Sequence, residues 1–163
     1  MDSALLKPLP YPDADRIVRV LEKPPGFPRN GISTLTFLDW QHQNTVFEYM
    51  AAQTGGTVTL SGLGEPIQLR ATHVSAHYFD IFGIKPTLGR NFAGDEDQRG
   101  NERVALLSHA LWLSQFGGDS KLIGQTIRLD GEAYTVIGVL PAGDTFDRAY
   151  NQLWMRWPSS RKI

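Results

Sequence analysis

From Thr126 to Val136 the chain reads Thr-Ile-Arg-Leu-Asp-Gly-Glu-Ala-Tyr-Thr-Val, and no other segment constrains the fold as strongly. Asp130-Gly131 accepts the positive φ angles of a type I′ turn, whose twist matches that of the strands it joins. A two-residue loop then sets the register. Ile127 falls opposite Tyr134, with Leu129 and Val136 on the same face. The result is a β-hairpin with one apolar side, and such a side must be covered by another layer.

A second hairpin is read upstream. Thr57–Ser61 and Ile67–Ala71 alternate apolar and polar residues, and the turn-forming link Gly62-Leu-Gly-Glu-Pro66 joins them. Arg16–Leu21 and Arg103–Leu107 read as further strands, rich in branched residues. Helices are expected to be short. His77–Phe82 stops at Gly83, and Ser108 caps Ala110–Phe116, which ends at Gly117-Gly118.

A longer helix is expected from Thr36, its cap, to about residue 52, with Phe37, Trp40, Phe47 and Met50 near one face; Asn44-Thr45 is where it can break in two. The prolines of Lys7-Pro-Leu-Pro-Tyr-Pro-Asp13 keep that stretch extended, and Pro24-Pro-Gly-Phe-Pro28 is a loop. The sum is an α+β fold with mixed or antiparallel sheets and short helices. Composition turns polar around residues 92–102, which places a boundary between a part spanning 1–92 and a part spanning 93–163 that holds the 126–136 hairpin.

Composition limits what such a fold can do. With 41% hydrophobic and 20% charged residues in 163, the chain has the makings of a folded core. The net charge of −1 comes from interspersed charges with no Lys/Arg cluster, so neither nucleic acid nor an anionic membrane surface is an expected partner. The absence of cysteine excludes disulfides, thiolate metal sites and cysteine nucleophiles. No apolar run approaches the roughly 18 residues of a membrane span, and Met1–Lys7 lacks the pattern of a signal peptide. If the domain lies outside the cytoplasm, something beyond this sequence carried it there.

Ser108, His109 and Asp119, and likewise Ser75, His77 and Asp80, are the residue types of a hydrolytic triad. Neither set sits in a Gly-x-Ser-x-Gly elbow, and helix capping accounts for Ser108 more simply. Asp95, Glu96 and Asp97 suggest a calcium loop with Gly100 as its glycine, but the closing acid would have to be residue 106, which is Leu. His73 and His77 have helical i, i+4 spacing, yet residue 73 falls in an expected strand. Phosphate-binding glycine loops are absent. Trp112 and Phe116 at helical spacing read as core, whereas Trp154 and Trp157 are open between core and partner contact. No catalytic, cofactor-binding or metal-binding residue is expected, no cofactor, and no enzymatic activity.

In order, Leu6-Lys-Pro-Leu-Pro-Tyr-Pro-Asp13, Phe37-Leu-Asp-Trp40, Val74–Phe92, Leu107-Ser-His-Ala-Leu-Trp112, Phe116-Gly-Gly-Asp119, Leu129-Asp-Gly131 and Val136-Ile-Gly-Val-Leu-Pro141 resemble the MacB-like periplasmic core domain of ABC transporter permeases, in particular the large permease set of acidobacteria. The resemblance runs from about residue 5 to 154. It implies a porter-like α/β lobe plus a smaller β-rich lobe, set between the first two membrane helices on the extracytoplasmic, periplasmic side of the cell membrane. It implies a non-catalytic role in export, by contact with partners or substrate and by mechanical coupling. The implied partners are the membrane helices of the permease, a cytoplasmic ATPase, a second copy in the full transporter, and a periplasmic adaptor in some systems. Against that pattern, a membrane helix is expected before Leu5 and a returning segment after Trp154, so an edge of the first lobe's sheet is expected to be unpaired. A free-standing envelope module that binds a ligand or protein, and a hydrolase using Ser108 or Ser75, are the alternatives.

Overall fold

A computed structural model describes residues 16–17, 40, 42–48, 50–93, 103–143 and 152–156. The elements, in chain order, are β1 (Gln53–Ser61), β2 (Ile67–Val74), α1 (Tyr78–Phe82), β3 (Leu88–Gly89), β4 (Val104–Leu107), α2 (His109–Phe116), a 3-10 turn (Ser120–Leu122), β5 (Thr126–Leu129), β6 (Glu132–Val139) and β7 (Leu153–Arg156). It is a mixed sheet with a few short helices, as the sequence patterning implies.

The local signals are realised where they were read. Asp130 and Gly131 have φ of 50° and 79°, and Ile127 pairs with Tyr134 across the β5–β6 hairpin. The β1–β2 hairpin pairs in unbroken register from Gln53↔Val74 to Leu60↔Ile67, so both strands are longer than the alternating segments alone. Gly83 and Gly117 close α1 and α2 in the left-handed conformation, and Ser108 Oγ accepts the Leu111 N–H.

The expected helix from residue 36 to 52 does not run through. Trp40, His42 and Gln43 are helical, but Asn44 Oδ1 accepts the N–H groups of Val46 (2.9 Å) and Phe47 (2.8 Å). These side-chain bonds compete with the helical ladder and turn the chain, so β1 begins nine residues later. Arg16 and Ile17 carry no strand conformation; the rest of the expected strand at 16–21 lies outside the described residues, as do 7–13, 24–28, the acidic segment 94–100 and Trp157.

The strands form one seven-stranded sheet in the order β3-β6-β4-β7-β2-β1-β5, and β5 also pairs with β6. That last pairing closes a circuit through β6, β4, β7, β2, β1 and β5. Strand β7 is its keystone, parallel to β2 (Ala71↔Leu153) and antiparallel to β4 (Leu107↔Leu153). The sheet draws strands from both sides of residue 92.

Each face of the central strands is covered. Val58, Leu60, Leu69, Ala71, Ala105, Leu107, Ile127, Leu129, Val136, Leu153 and Met155 gather on one face, capped by Leu111 of α2 and Leu122 of the 3-10 turn. On the other, Val74, Val104, Leu106, Ile137 and Trp154 pack against Tyr78 and Phe79 of α1 and against Phe92. Strands β4 and β7 are therefore buried along their whole length, β4 as a continuous apolar run and β7 as three apolar residues followed by the buried Arg156. Each large side chain withdrawn from water contributes about 1.5–3 kcal/mol.

Candidate functional site

The serines read as possible nucleophiles are both occupied as hydrogen-bond acceptors in local structure. Ser108 is buried, with Oγ 3.1 Å from the Leu111 N–H at the start of α2. Next to it, the His109 ring lies edge-on to Trp112, 5.3 Å between centroids, and has no bond to Ser108 Oγ among the described contacts. Asp119 turns elsewhere: its Oδ1 accepts the Lys121 N–H at 2.9 Å, and its carbonyl accepts Trp112 Nε1–H at 3.0 Å. The residues are near in sequence but form no nucleophile–base–acid relay.

The second set comes closer without completing one. His77 Nδ1 lies 3.1 Å from Asp80 Oδ2, a pair across the first turn of α1 with both side chains about half exposed. Ser75 Oγ accepts the Ala52 N–H at 2.8 Å, which ties the end of β2 to the start of β1. A histidine oriented by a carboxylate is present, while the Ser75 hydroxyl is engaged with the Ala52 N–H. His73 is placed in β2 and His77 at the head of α1, so they share no helix face. No group of three His, Asp or Glu side chains converges among the described residues.

The aromatic residues divide by location. Trp154 is fully buried, its ring 5.9 Å from Phe79, and Phe79 stacks on Phe92 at 6.0 Å. Arg156, at the end of β7, is buried beside them, with its guanidinium 5.7 Å from the Phe92 ring centre and Nη1 3.5 Å from the Val74 carbonyl. Trp112 and Phe116 are half-buried against the edge of the other core. Leu113 of α2, Leu63 at the β1–β2 turn, and Val46 with Phe47 in the Asn44 turn are apolar and exposed. Phe47 is expected on the apolar face of the 36–52 helix, but the turn at Asn44 takes it out of any helix and leaves it exposed, while Val46, Leu63 and Leu113 belong to no periodic pattern.

What remains is a surface of strand edges and turns around a well-filled sheet. Two shallow hollows lie among the described residues, one lined by Gly55, Gly56, Thr57, Arg70 and Ala71, the other by Phe116, Asp119, Lys121, Leu122 and Gln125. No helix among the described residues is long and apolar enough to cross a membrane.

Comparison with known proteins accords with this architecture. Among solved structures, the fold is similar to the periplasmic region of MacB from Actinobacillus actinomycetemcomitans, with a TM-score of 0.64 at 17% identity over 77% of this chain and 55% of that one. It is also similar to the extracellular domain of the noncanonic ABC-type transporter YknZ from Gram-positive bacteria, with a TM-score of 0.54 at 21% identity over 65% of this chain and 52% of that one. The chain thus spans about half the length of these two structures. Among curated proteins none matches. The family pattern of the MacB-like periplasmic core domain matches residues 3–162, nearly the whole sequence, and the chain belongs to that family.

Proposed function

We propose that this chain is the extracytoplasmic domain of a MacB-like ABC transporter permease, acting without catalysis of its own, through contacts with partner or substrate and by transmitting movement during export. The observation that carries this reading is the family match over residues 3–162. Two features of the molecule support it. Its candidate nucleophiles serve as acceptors in caps and strand ties, and among the described residues the strand edges of the sheet lie at the surface.

On this reading residues 1–92 supply the porter-like part and 93–163 the smaller β-rich part of a domain held on the outer side of the cell membrane. Its partners are the membrane helices of the permease, a cytoplasmic ATPase, a second copy of the same permease and, in an envelope with two membranes, a periplasmic adaptor. Because β2 pairs with β7, β1 with β5 and β3 with β6, strands of the two parts share one sheet, and displacement of either part strains the other. That is the property a force-transmitting module needs.

The test is to express the complete gene with its neighbours, then treat intact and permeabilised spheroplasts with a protease. Cleavage within this domain in intact spheroplasts, and co-purification with an ATPase, are the expected results. Protection until the membrane is permeabilised would place the domain in the cytoplasm and end the reading. Labelling of Ser75 or Ser108 by a serine-reactive probe would remove its non-catalytic part.

A further inference from the structure

Strand β1 contains two consecutive glycines, Gly55 and Gly56, that no neighbour among the described residues requires. Neither has a positive φ, and a Cβ added at either would meet no atom within 4 Å. Gln53 to Thr57 are all exposed, while Val58 and Leu60 further along the same strand are buried. Glycine in the interior of a strand often marks a place where another backbone approaches.

The direction of the backbone groups follows from the ladder. On its outer side β1 meets β5 only at Leu60 and Ser61, and Thr59 exchanges bonds there with Asp130: its carbonyl accepts the Asp130 N–H (3.0 Å) and its N–H donates to Asp130 Oδ1 (2.8 Å). Pairing with β2 continues without a bulge back to Gln53, so the alternation holds along the strand. Thr57, Gly55 and Gln53 therefore aim their N–H and C=O groups away from β2, and among the described residues no strand pairs with them there. Edge strands are normally guarded by charge, proline or a bulge, and Gln53-Thr-Gly-Gly-Thr57 has none of these. At its head, Tyr78 OH donates to Gln53 Oε1 at 2.7 Å and holds the strand in place.

We infer that this edge is a contact surface for a second copy of the chain, joined by antiparallel pairing of the two β1 strands about a two-fold axis at Gly55. A two-fold axis normal to the sheet brings a residue opposite itself, and residue pairs on either side then have the same parity. With Gly55 on the axis, Gln53 faces Thr57 of the second copy, and the outward groups of all three positions meet as hydrogen-bonded pairs. Identical edges repel when they carry like charges opposite one another; this one is uncharged. Glycine on the axis keeps side chains from crowding where the two copies are closest. The contact gives a surface to the two-copy assembly of the proposed transporter and rests on that reading for its biological setting, but its test does not depend on transport.

The experiment uses the 163-residue protein and exploits its lack of cysteine. Sedimentation velocity at increasing concentration should show a monomer–dimer equilibrium. Gly55→Pro, which deletes an outward N–H and leaves the β2 ladder intact, should weaken dimerisation by roughly tenfold or more with the melting temperature little changed. Under mild oxidation Gly55→Cys should form a covalent dimer, since facing Cα atoms in such a pair are about 5.5 Å apart. Thr57→Cys should not, because its two copies would lie about 13 Å apart along the strands. A protein that stays monomeric with Gly55→Cys uncrosslinked overturns the inference, as does equal crosslinking at both positions. So does slow hydrogen exchange of the Gly55 amide in the monomer, which would mean that the chain covers its own edge. If Gly55→Pro fails to fold, the cysteine pair still decides. A transporter dimerised through its membrane segments alone would leave the proposed function standing and this surface refuted.

Discussion

Thr59 and Asp130 hold each other by two bonds across the junction of the two hairpins: the Asp130 N–H donates to the Thr59 carbonyl at 3.0 Å, and Asp130 Oδ1 accepts the Thr59 N–H at 2.8 Å. Asp130 also carries the one positive φ of a non-glycine residue among the described residues. One side chain therefore shapes the type I′ turn of β5–β6 and, 71 residues away in sequence, extends the short β1–β5 pairing that closes the strand circuit.

Asp130→Ala should lower stability by about 1–2 kcal/mol, from one lost hydrogen bond and from a left-handed conformation that alanine resists. Asp130→Asn, which keeps an acceptor oxygen and tolerates that conformation, should lose less than half as much. Urea unfolding of the three proteins makes the comparison. Equal losses for Ala and Asn would mean that the tie to Thr59 contributes nothing beyond the turn.

Glycines in two strands should respond in opposite ways to the same substitution. A Cβ at Gly138 would lie 2.6 Å from Leu106 Cδ2, 2.8 Å from the Arg90 carbonyl oxygen and 2.9 Å from that of Leu88. Two of those three neighbours are backbone, so relief requires moving β3 off β6, where Gly89 pairs with Gly138. Gly138→Ala should cost about 1–3 kcal/mol, the usual range for overpacking. Gly56→Ala meets nothing within 4 Å and should be neutral or stabilising by up to about 1 kcal/mol, through lost freedom of the unfolded chain. Thermal melts read both, and a destabilising Gly56→Ala would contradict the open space around it.

Both hairpins, both short helices and their caps were legible because each is written in adjacent residues. Asp130-Gly131 states its own turn, and Ser108 and Gly117 state the ends of α2. The triad residue types were legible as well, and so was the reason to discount them. Three features were not. Strand β1 begins four residues earlier than its alternation does, because Gly55 and Gly56 give no pattern to read. Strand β3 is two residues long and exists only as a partner of β6. Strand β7, Leu153-Trp-Met-Arg156, has no alternation since both its faces are buried, and four residues offer no period to measure. These three are strands by virtue of distant neighbours, and distance in sequence is what local pattern omits.

Ser108 separates the capping role from the catalytic one. Ser108→Ala removes the acceptor for the Leu111 N–H at a buried helix start, which should cost about 1 kcal/mol. Ser108→Asp restores an acceptor but places a carboxylate where 2% of the residue is exposed, so it should destabilise more than Ala does. Chemical denaturation ranks the two variants. The opposite order would show that water reaches this cap and that the site is more open than the packing implies.

Movement of β2 or β4 reaches the other through β7, which pairs with both. Trp154 is buried on β7, facing Phe79 of α1, and its strand bridges β2 and β4. Trp154→Ala should cost about 3–5 kcal/mol through lost transfer energy and the cavity left behind. The loss should not spread evenly. Residues 71–74 of β2 and 105–107 of β4 pair with β7, so their amides should gain exchange most. The β5–β6 hairpin pairs within itself from Thr126 to Thr135 and should retain more protection. Hydrogen exchange resolved by mass spectrometry distinguishes the cases. Uniform acceleration across all strands would make the sheet one cooperative unit, and β7 would then have no separate role in coupling the two parts of the domain.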